Sequence, residues 1–423
     1  MTRRIVAAYG ITWLTDFAGT LLVFAVTRSL AEQRVGTLTM GLISGGFAAA
    51  LSLSTYFGGR IADRFGHIKV IVAATLLLLP CLMCVALVDS ASWWYYLAYV
   101  GAGGAVGMVY PPTVAWLTLS HRGPSLQRKL FGFCLVWNLG MISGHTLGGQ
   151  LFGAWGHSAV LFSAISLLPL SLLLAAWGRR GDANSPDLVE ENQEVETRDN
   201  LTELAAAFAV LGWVANVGGT FSMSIILFLL PDLSVQIGVT SEHQGGMVAI
   251  SRGVVIATYL LMAIARYWRF RFAGAVGSQA LAVMGLIYLA AASNERELII
   301  GLVVFSILPA YNYFASLFYS TVGSAAQRRG TWVGIHESTF GVGLTLGSIL
   351  GGWIGSYAGV RSSFLLAAAV VCALTIVQAI LYIKLVLPLY KSRPRRASKE
   401  RPDWSLDDVG VMERDPKAIG RQR

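Results

Sequence analysis

Twelve mostly apolar stretches fill this chain, each about as long as the ~20-residue helix that crosses a bilayer. They run over roughly 5–27, 38–57, 69–88, 93–117, 130–152, 158–177, 203–230, 244–265, 272–292, 297–322, 331–355 and 362–388. Lipid offers no hydrogen bonds to a bare backbone, so such stretches must bond internally, and that means helices. Of the 423 residues, 55% are hydrophobic and 13% charged, against ~25% charged in a soluble domain. This excludes disorder, a coiled coil and an ordinary soluble enzyme. Four cysteines are too few for a disulfide scaffold. The expected fold is an all-α integral membrane protein. The first segment follows Met1-Thr2-Arg3-Arg4 and holds Asp16, so it reads as an uncleaved first span rather than a signal peptide.

The net charge of +9 would suggest nucleic acid in a soluble protein. Here it sorts by side of the membrane instead. With the N-terminus in the cytoplasm, the loops on that side collect Arg60, Arg64, Lys69, Arg122, Arg128, Lys129, Arg179, Arg180, Arg198, Arg266, Arg269, Arg271, Arg328 and Arg329. Arg28, Arg34, Arg296 and Arg361 fall outside. Cytoplasmic loops carry the Lys/Arg excess, so both termini are expected inside, in a plasma or bacterial inner membrane. No nucleic-acid partner is implied.

The stretch from Gly178, with Glu190, Glu191, Glu194 and Glu196, reads as a solvated linker. It divides the chain into a half at 1–177, a linker at 178–201, a half at 202–388 and a basic tail at 389–423. The two halves repeat one pattern. Segment five carries Gly140, Gly144, Gly148 and Gly149; segment eleven carries Gly343, Gly347, Gly351 and Gly352. Each pair is 203 residues apart, as are Leu147/Leu350 and Gly156/Gly359. Glycines four apart share a helix face and let helices pack closely. A duplicated six-helix bundle with a site between its halves is a transporter architecture.

Between segments two and three runs Gly59-Arg60-Ile61-Ala62-Asp63-Arg64-Phe65-Gly66-His67-Ile68-Lys69. It reads as a tight charged turn, with Gly59 and Gly66 permitting close backbone approach. Its spacing resembles the loop signature G-x-x-x-D-R/K-x-G-x-R/K-R/K of the major facilitator superfamily, matched at Gly59, Asp63, Arg64, Gly66 and Lys69, with Ile68 in place of a basic residue. The resemblance implies a bundle of twelve transmembrane helices in two pseudo-symmetric six-helix halves. It also implies that this loop latches the cytoplasmic side, with Asp63 set against the helix that starts near Thr331 and Gly334. The corresponding loop of the second half, Arg266 to Phe272, lacks the Asp and the paired Gly. The ladder in segment five resembles the family's antiporter motif, with His145 where that motif has Pro. Sugar-porter and peptide-porter signatures are absent. So is a phosphate-binding loop, and no ATP site, cofactor or metal site is implied.

Ionisable groups inside a membrane are functional candidates by default. Asp16 falls near mid-depth and reads as a proton carrier, a substrate contact or a structural partner. Arg252, at similar depth, reads as the binder of an anionic substrate group or as the neutraliser of Asp16. His145 is a second proton-coupling candidate. Glu337, beside His336, reads as part of the latch or of a proton path. Lys384 lies near a span end and is expected to snorkel. Tyr110, Asn138, Asn216, Tyr311 and Asn312, with Trp213 and Tyr313, are cavity candidates suited to a small amphipathic organic substrate. The expectation is proton-coupled efflux of a small organic molecule by alternating access. Proton-coupled uptake, or a non-transporting membrane sensor or scaffold, stands as the alternative. No nucleophile–base set points to an enzyme.

Overall fold

The computed structural model describes residues 3–118, 123–182, 200–265, 267–324 and 329–391. The expected linker from 183 to 199, the tail beyond 391, and Arg122, Arg198, Arg266 and Arg328 lie outside the described residues. Among the described residues there are eleven long helices and no strand. They are α1 (Arg3–Glu32), α2 (Thr37–Phe65), α3 (His67–Leu87), α4 (Trp93–Thr118), α5 (Gly123–Asp182), α6 (Asn200–Gln236), α7 (Ser241–Ile264), α8 (Phe272–Ala291), α9 (Glu295–Val322), α10 (Arg329–Ala358) and α11 (Val360–Leu381). A π-helical turn, Tyr382–Val386, and a short α12, Leu387–Lys391, continue α11.

Sixty residues of α5 would stretch ~90 Å as one rod, three times the ~30 Å hydrocarbon core. It breaks at Gly156, where φ is 76° and ψ −173°. The arms 123–155 and 157–182 are therefore two separate helices, which brings the eleven long helices to the twelve of the expected bundle. Gly359, between α10 and α11, has φ 82°. A Cβ at either position would meet nothing within 4 Å, so glycine is required there by the backbone angle rather than by space.

One expectation changes. The charged motif is not a loop over its whole length, because α2 runs helically through Gly59, Asp63 and Arg64 to Phe65. Gly66 alone, at φ 93°, turns the chain into α3, and its N–H still donates to Ala62 O at 2.8 Å. A Cβ on Gly59 would touch only Pro111, at 3.7 Å. Gly59 thus allows no unusual approach here.

The glycine ladders have the same partners in both halves. Within the first half, α5 packs on α1, and a Cβ on Gly140 would lie 2.7 Å from Asp16 Cβ and 2.8 Å from Trp13 O. Within the second, α10 packs on α6, and a Cβ on Gly343 would meet Thr220 Oγ1 and lie 2.7 Å from Val217 O. Gly144 meets Thr20 and Phe17 O where Gly347 meets Phe221 O. Gly148 meets Phe24 and Leu21 where Gly351 meets Ile225 and Leu229.

The last glycine of each ladder crosses between the halves. A Cβ on Gly149 would lie 2.6 Å from Ser241 O of α7, and one on Gly352 would lie 2.6 Å from Thr37 O of α2. Gly245 and Gly41 answer from the other side, against His145 O and Ser348 O respectively. Two backbone clasps, related by the pseudo-two-fold, thus close the end of the bundle opposite the chain termini. A buried Arg28 adds a polar tie there, donating from Nη1 to Gln244 Oε1 at 2.8 Å and from Nε to Glu32 at 2.7 Å.

The terminal end is held differently. α2 and α10 still touch where Gly341 meets Ser52, but a Cβ on Gly334, two turns earlier on α10, would meet nothing within 4 Å. Asp63 and Arg64 are exposed, and Asp63 makes no hydrogen bond or ion pair with any described residue. Aromatic contacts carry this side, among them Phe131 with Phe314 at 5.9 Å between ring centres. The second-half loop is docked on its own half. Phe270 N–H donates to Tyr319 Oη at 2.7 Å, Tyr390 donates to Phe270 O at 2.7 Å, and Phe272 stacks on Tyr382.

Candidate functional site

Midway along α1, Asp16 is buried, 4% exposed. Glycine at 140 lets α5 pass directly over it. Tyr110 of α4 donates to Asp16 Oδ1 at 2.6 Å, while Oδ2 has no partner among the described residues. The Trp137 side chain flanks the carboxyl group. At 2.6 Å this phenol–carboxyl bond lies at the short end of O–H···O hydrogen bonds. The bare second oxygen is the unusual part, because a buried polar atom is normally satisfied.

Arg252 of α7 comes from the other half to within electrostatic reach of Asp16, though no ion pair joins them. Its guanidinium is buried, Nη1 donates to Met223 Sδ at 3.5 Å, and Nε has no partner. His145 lies towards the clasped end of the same seam. It is buried against Phe24, with neither ring nitrogen bonded among the described residues.

Glu337 forms a second acid centre nearer the terminal end. Tyr313 of α9 donates to its Oε1 at 3.0 Å, and His336 Nε2 lies 3.9 Å away. The Glu337 side chain is 35% exposed, whereas His336 is fully buried and pairs through Nδ1 with Ser316 Oγ at 2.9 Å. Trp137 bridges the two centres, since it flanks Asp16 and packs on Tyr313 and Phe340 at 5.7 and 5.9 Å.

Tyr110 and Tyr313 are 203 residues apart, the offset of the glycine ladders, and each donates to an acid. The acids themselves do not share that relation. The first-half position matching Glu337 is Cys134, a buried thiol, and the second-half position matching Asp16 at an offset of 204 is Thr220. A symmetric frame therefore carries an asymmetric pair of titratable groups.

The remaining sequence candidates divide by location. Asn138 is on the seam, bonded back to Cys134 O at 2.9 Å with Oδ1 unpartnered. Asn216 ties α6 to α10 through His336 O and Thr339 Oγ1, and Asn312 ties α9 to α6 through Ala215 O. Tyr311 points away from the seam, packing on Trp268 and over Gly274. Trp213 donates to Ser320 within the second half. Lys384 is exposed on the π-helical turn. Sequence reasoning gave Tyr313 no more weight than Tyr311 and passed over Trp137, Arg28 and Gln244. The offset of 203 from Tyr110 was the signal that singles out Tyr313.

Tyr110→Phe removes the hydrogen bond that Tyr110 donates to Asp16 Oδ1. Hydrogen bonds to charged groups are worth about 1.5–3 kcal/mol, so the variant is expected to melt clearly below wild type in detergent. Tyr311→Phe, which touches neither acid, serves as the control and is expected to melt within error of wild type. Equal melting of both would show that the Tyr110 bond holds nothing.

Residues 8–327 match the Major Facilitator Superfamily, and the chain belongs to that family. It is 27% identical over 225 residues to the tetracycline resistance protein, class H, of Pasteurella multocida, covering 51% of this chain and 54% of that one. The chain thus spans about half the length of that relative. It is 24% identical over 371 residues to the multidrug efflux pump Tap of Mycobacterium tuberculosis, covering 81% and 85%. It is 23% identical over 337 residues to the cis,cis-muconate transport protein of Acinetobacter baylyi, covering 74% and 78%. A crystal structure of the POT family transporter PepTSo superposes with a TM-score of 0.73 at 12% identity, covering 93% of this chain and 99% of that one. That likeness shows the fold. The protein is a multi-pass membrane protein with the fold of the major facilitator class.

Proposed function

We propose that this chain is a proton-coupled secondary transporter of a small organic molecule, working by alternating access of its two halves, with no enzymatic step. The observation that carries this is Asp16, a buried carboxyl group at the seam between halves with one oxygen bonded and one bare. A proton gained or lost there changes the free energy of bringing the halves together. A coupled cargo can move no further than that difference allows. The clasped end is read as the outer face and the terminal end as cytoplasmic, following the Lys and Arg of the loops.

The charge of the cargo sets the direction. A cation competes with the proton at Asp16 and gives exchange, hence export against an inward proton gradient. Export is the first reading, supported by the antiporter-like glycine ladder and by similarity to the tetracycline resistance protein and Tap. Import is the second reading, favoured by Arg252, a buried cation within electrostatic reach of Asp16, and compatible with the muconate relative.

The test is proton movement in liposomes holding the full chain, driven by pools of small metabolites and drugs. A cargo-dependent proton signal above protein-free liposomes is expected. Glu337→Gln is expected to slow this signal without abolishing it, because that carboxyl is already partly exposed. Folded protein that gives no signal with any pool would overturn the proposal and favour the sensor alternative.

A further inference from the structure

Arg252 poses a problem that the transport mechanism leaves unsolved. A guanidinium offers five donors and cannot shed its charge. Buried without a counter-ion, it carries a desolvation cost that a good anion partner would offset. Among the described residues its hydrogen-bond acceptor is the thioether of Met223, a weak one, and Nε has no partner. It is not sealed in solid packing either. A small crevice between α6, α7 and α9 opens on the guanidinium, lined by Met223, Val248, Ser251, Val255, Phe305 and Ser306. The lining is apolar apart from two serine hydroxyls. Pro309, also on this crevice, has no N–H to offer the Phe305 carbonyl, which loosens α9 at that turn.

We propose that this crevice is the anion-binding half of the cargo site, and that the cargo is an organic carboxylate. A carboxylate matches the planar fork of Arg, and Val, Met and Phe line the crevice beside the guanidinium. A cation would meet the repulsion of Arg252 before reaching Asp16. A neutral molecule would leave the guanidinium as bare as it is now.

The position of the crevice also fixes the sign of coupling, on the reading that Asp16 carries the proton. The charged and titratable groups around Arg252 are Asp16 on α1, His145 on α5 and Tyr259 on its own helix. Tyr110 on α4 reaches the group through Asp16. When Asp16 is ionised, a carboxylate arriving at Arg252 meets its negative charge, which lies within electrostatic reach of the guanidinium. Protonation of Asp16 removes that repulsion, so proton and anion each favour the binding of the other by the same factor. A pair that binds together travels together. The geometry therefore selects co-transport of an organic anion with a proton, and with it the import reading.

The experiment uses the full chain and three pools: aliphatic and aromatic mono- and dicarboxylic acids, their matching amides, and their matching amines. Binding is read as a rise in melting temperature. Transport is read as acidification inside liposomes, with protein-free liposomes subtracted for acids that cross lipid unaided. The acid pool is expected to stabilise the wild type and to acidify the lumen, and the other pools to do neither. Arg252→Gln is expected to weaken acid binding by at least about tenfold, the scale of a lost charge-assisted hydrogen bond, and Arg252→Lys by less. Without cargo, Arg252→Gln is expected to melt no lower than wild type, since it removes a buried unpaired charge. A large drop would make Arg252 a structural partner and overturn the proposal. So would acid binding that survives in Arg252→Gln, or no response to any acid.

Two outcomes separate this proposal from the proton-coupled reading beneath it. Proton exchange driven by amines and lost in Asp16→Asn overturns the anion site and leaves proton coupling standing. Acid transport that needs Arg252 yet moves no protons supports the anion site and overturns proton coupling.

Discussion

Gly245→Leu is expected to drive the molecule out of the conformation described here. At this position α5 and α7 touch backbone to backbone, and an added Cβ would overlap His145 O and lie 3.1 Å from Gly149 Cα. Neither obstacle is a side chain that can swing aside, so the clasp itself must part. Overpacking of this kind costs about 1–3 kcal/mol, which moves a two-state population by roughly 5- to 150-fold at 1.4 kcal/mol per factor of ten. Gly41→Leu, at the pseudo-symmetric clasp against Ser348 O and Gly352, is expected to act in the same direction. Gly246→Leu is the control, because a Cβ there meets nothing within 4 Å. The readout is labelling of Ser241→Cys, in a background without Cys81, Cys84, Cys134 and Cys372, by a maleimide that cannot cross the membrane. Ser241 is buried in the clasp. Labelling from the outer side is expected to rise in Gly245→Leu and to stay low in Gly246→Leu. Equal labelling in the two would mean that the glycine contacts do not hold this face shut.

Asp16→Asn is expected to abolish cargo-driven proton movement while leaving a folded protein. The amide keeps the shape and still accepts from Tyr110 at Oδ1, but it carries no proton. A charged Asp in mid-membrane costs about 2.5–3.5 kcal/mol on insertion scales, so the neutral variant has no reason to be less stable. Cargo moving down its own gradient is expected to survive, whereas uphill movement driven by protons is expected to fall to background. That split distinguishes loss of coupling from loss of folding. Full proton-driven transport by Asp16→Asn would remove this acid from the mechanism.

Much of the architecture is legible in the sequence, for a reason that can be stated residue by residue. In lipid the helix is the only economical solution for a single span, so an apolar run of sufficient length already names its element. The two glycine ladders marked the close-packed helices because backbone contact tolerates no Cβ. Helix ends were less legible. Hydropathy marks the apolar part of a helix, but the backbone goes on hydrogen bonding past it, so α1 reaches Glu32 through Arg28, and α6 passes Pro231 and Asp232. The Asp63 motif looks like a loop in the sequence for the same reason. The site was legible only in part. A lone acid such as Asp16 stands out in an apolar run, but Tyr313 and Tyr311 look alike until helix phase decides which one faces Glu337. Arg28 was placed outside by counting charges. Its burial against Gln244 depends on how two distant helix ends meet, which no local pattern encodes.

In alternating access the two faces open in turn around the seam that holds Asp16. Spin labels at Glu32→Cys and Glu242→Cys report the clasped face, and labels at Phe65→Cys and Ile335→Cys report the terminal face, in the same cysteine-free protein; all four sites are exposed. Distances would be measured by pulsed electron paramagnetic resonance in lipid, in wild type and in Gly245→Leu. Opposite changes are expected, the Glu32–Glu242 distance lengthening in the population where the Phe65–Ile335 distance shortens. Distances that stay fixed, or that lengthen at both faces together, would contradict alternating access.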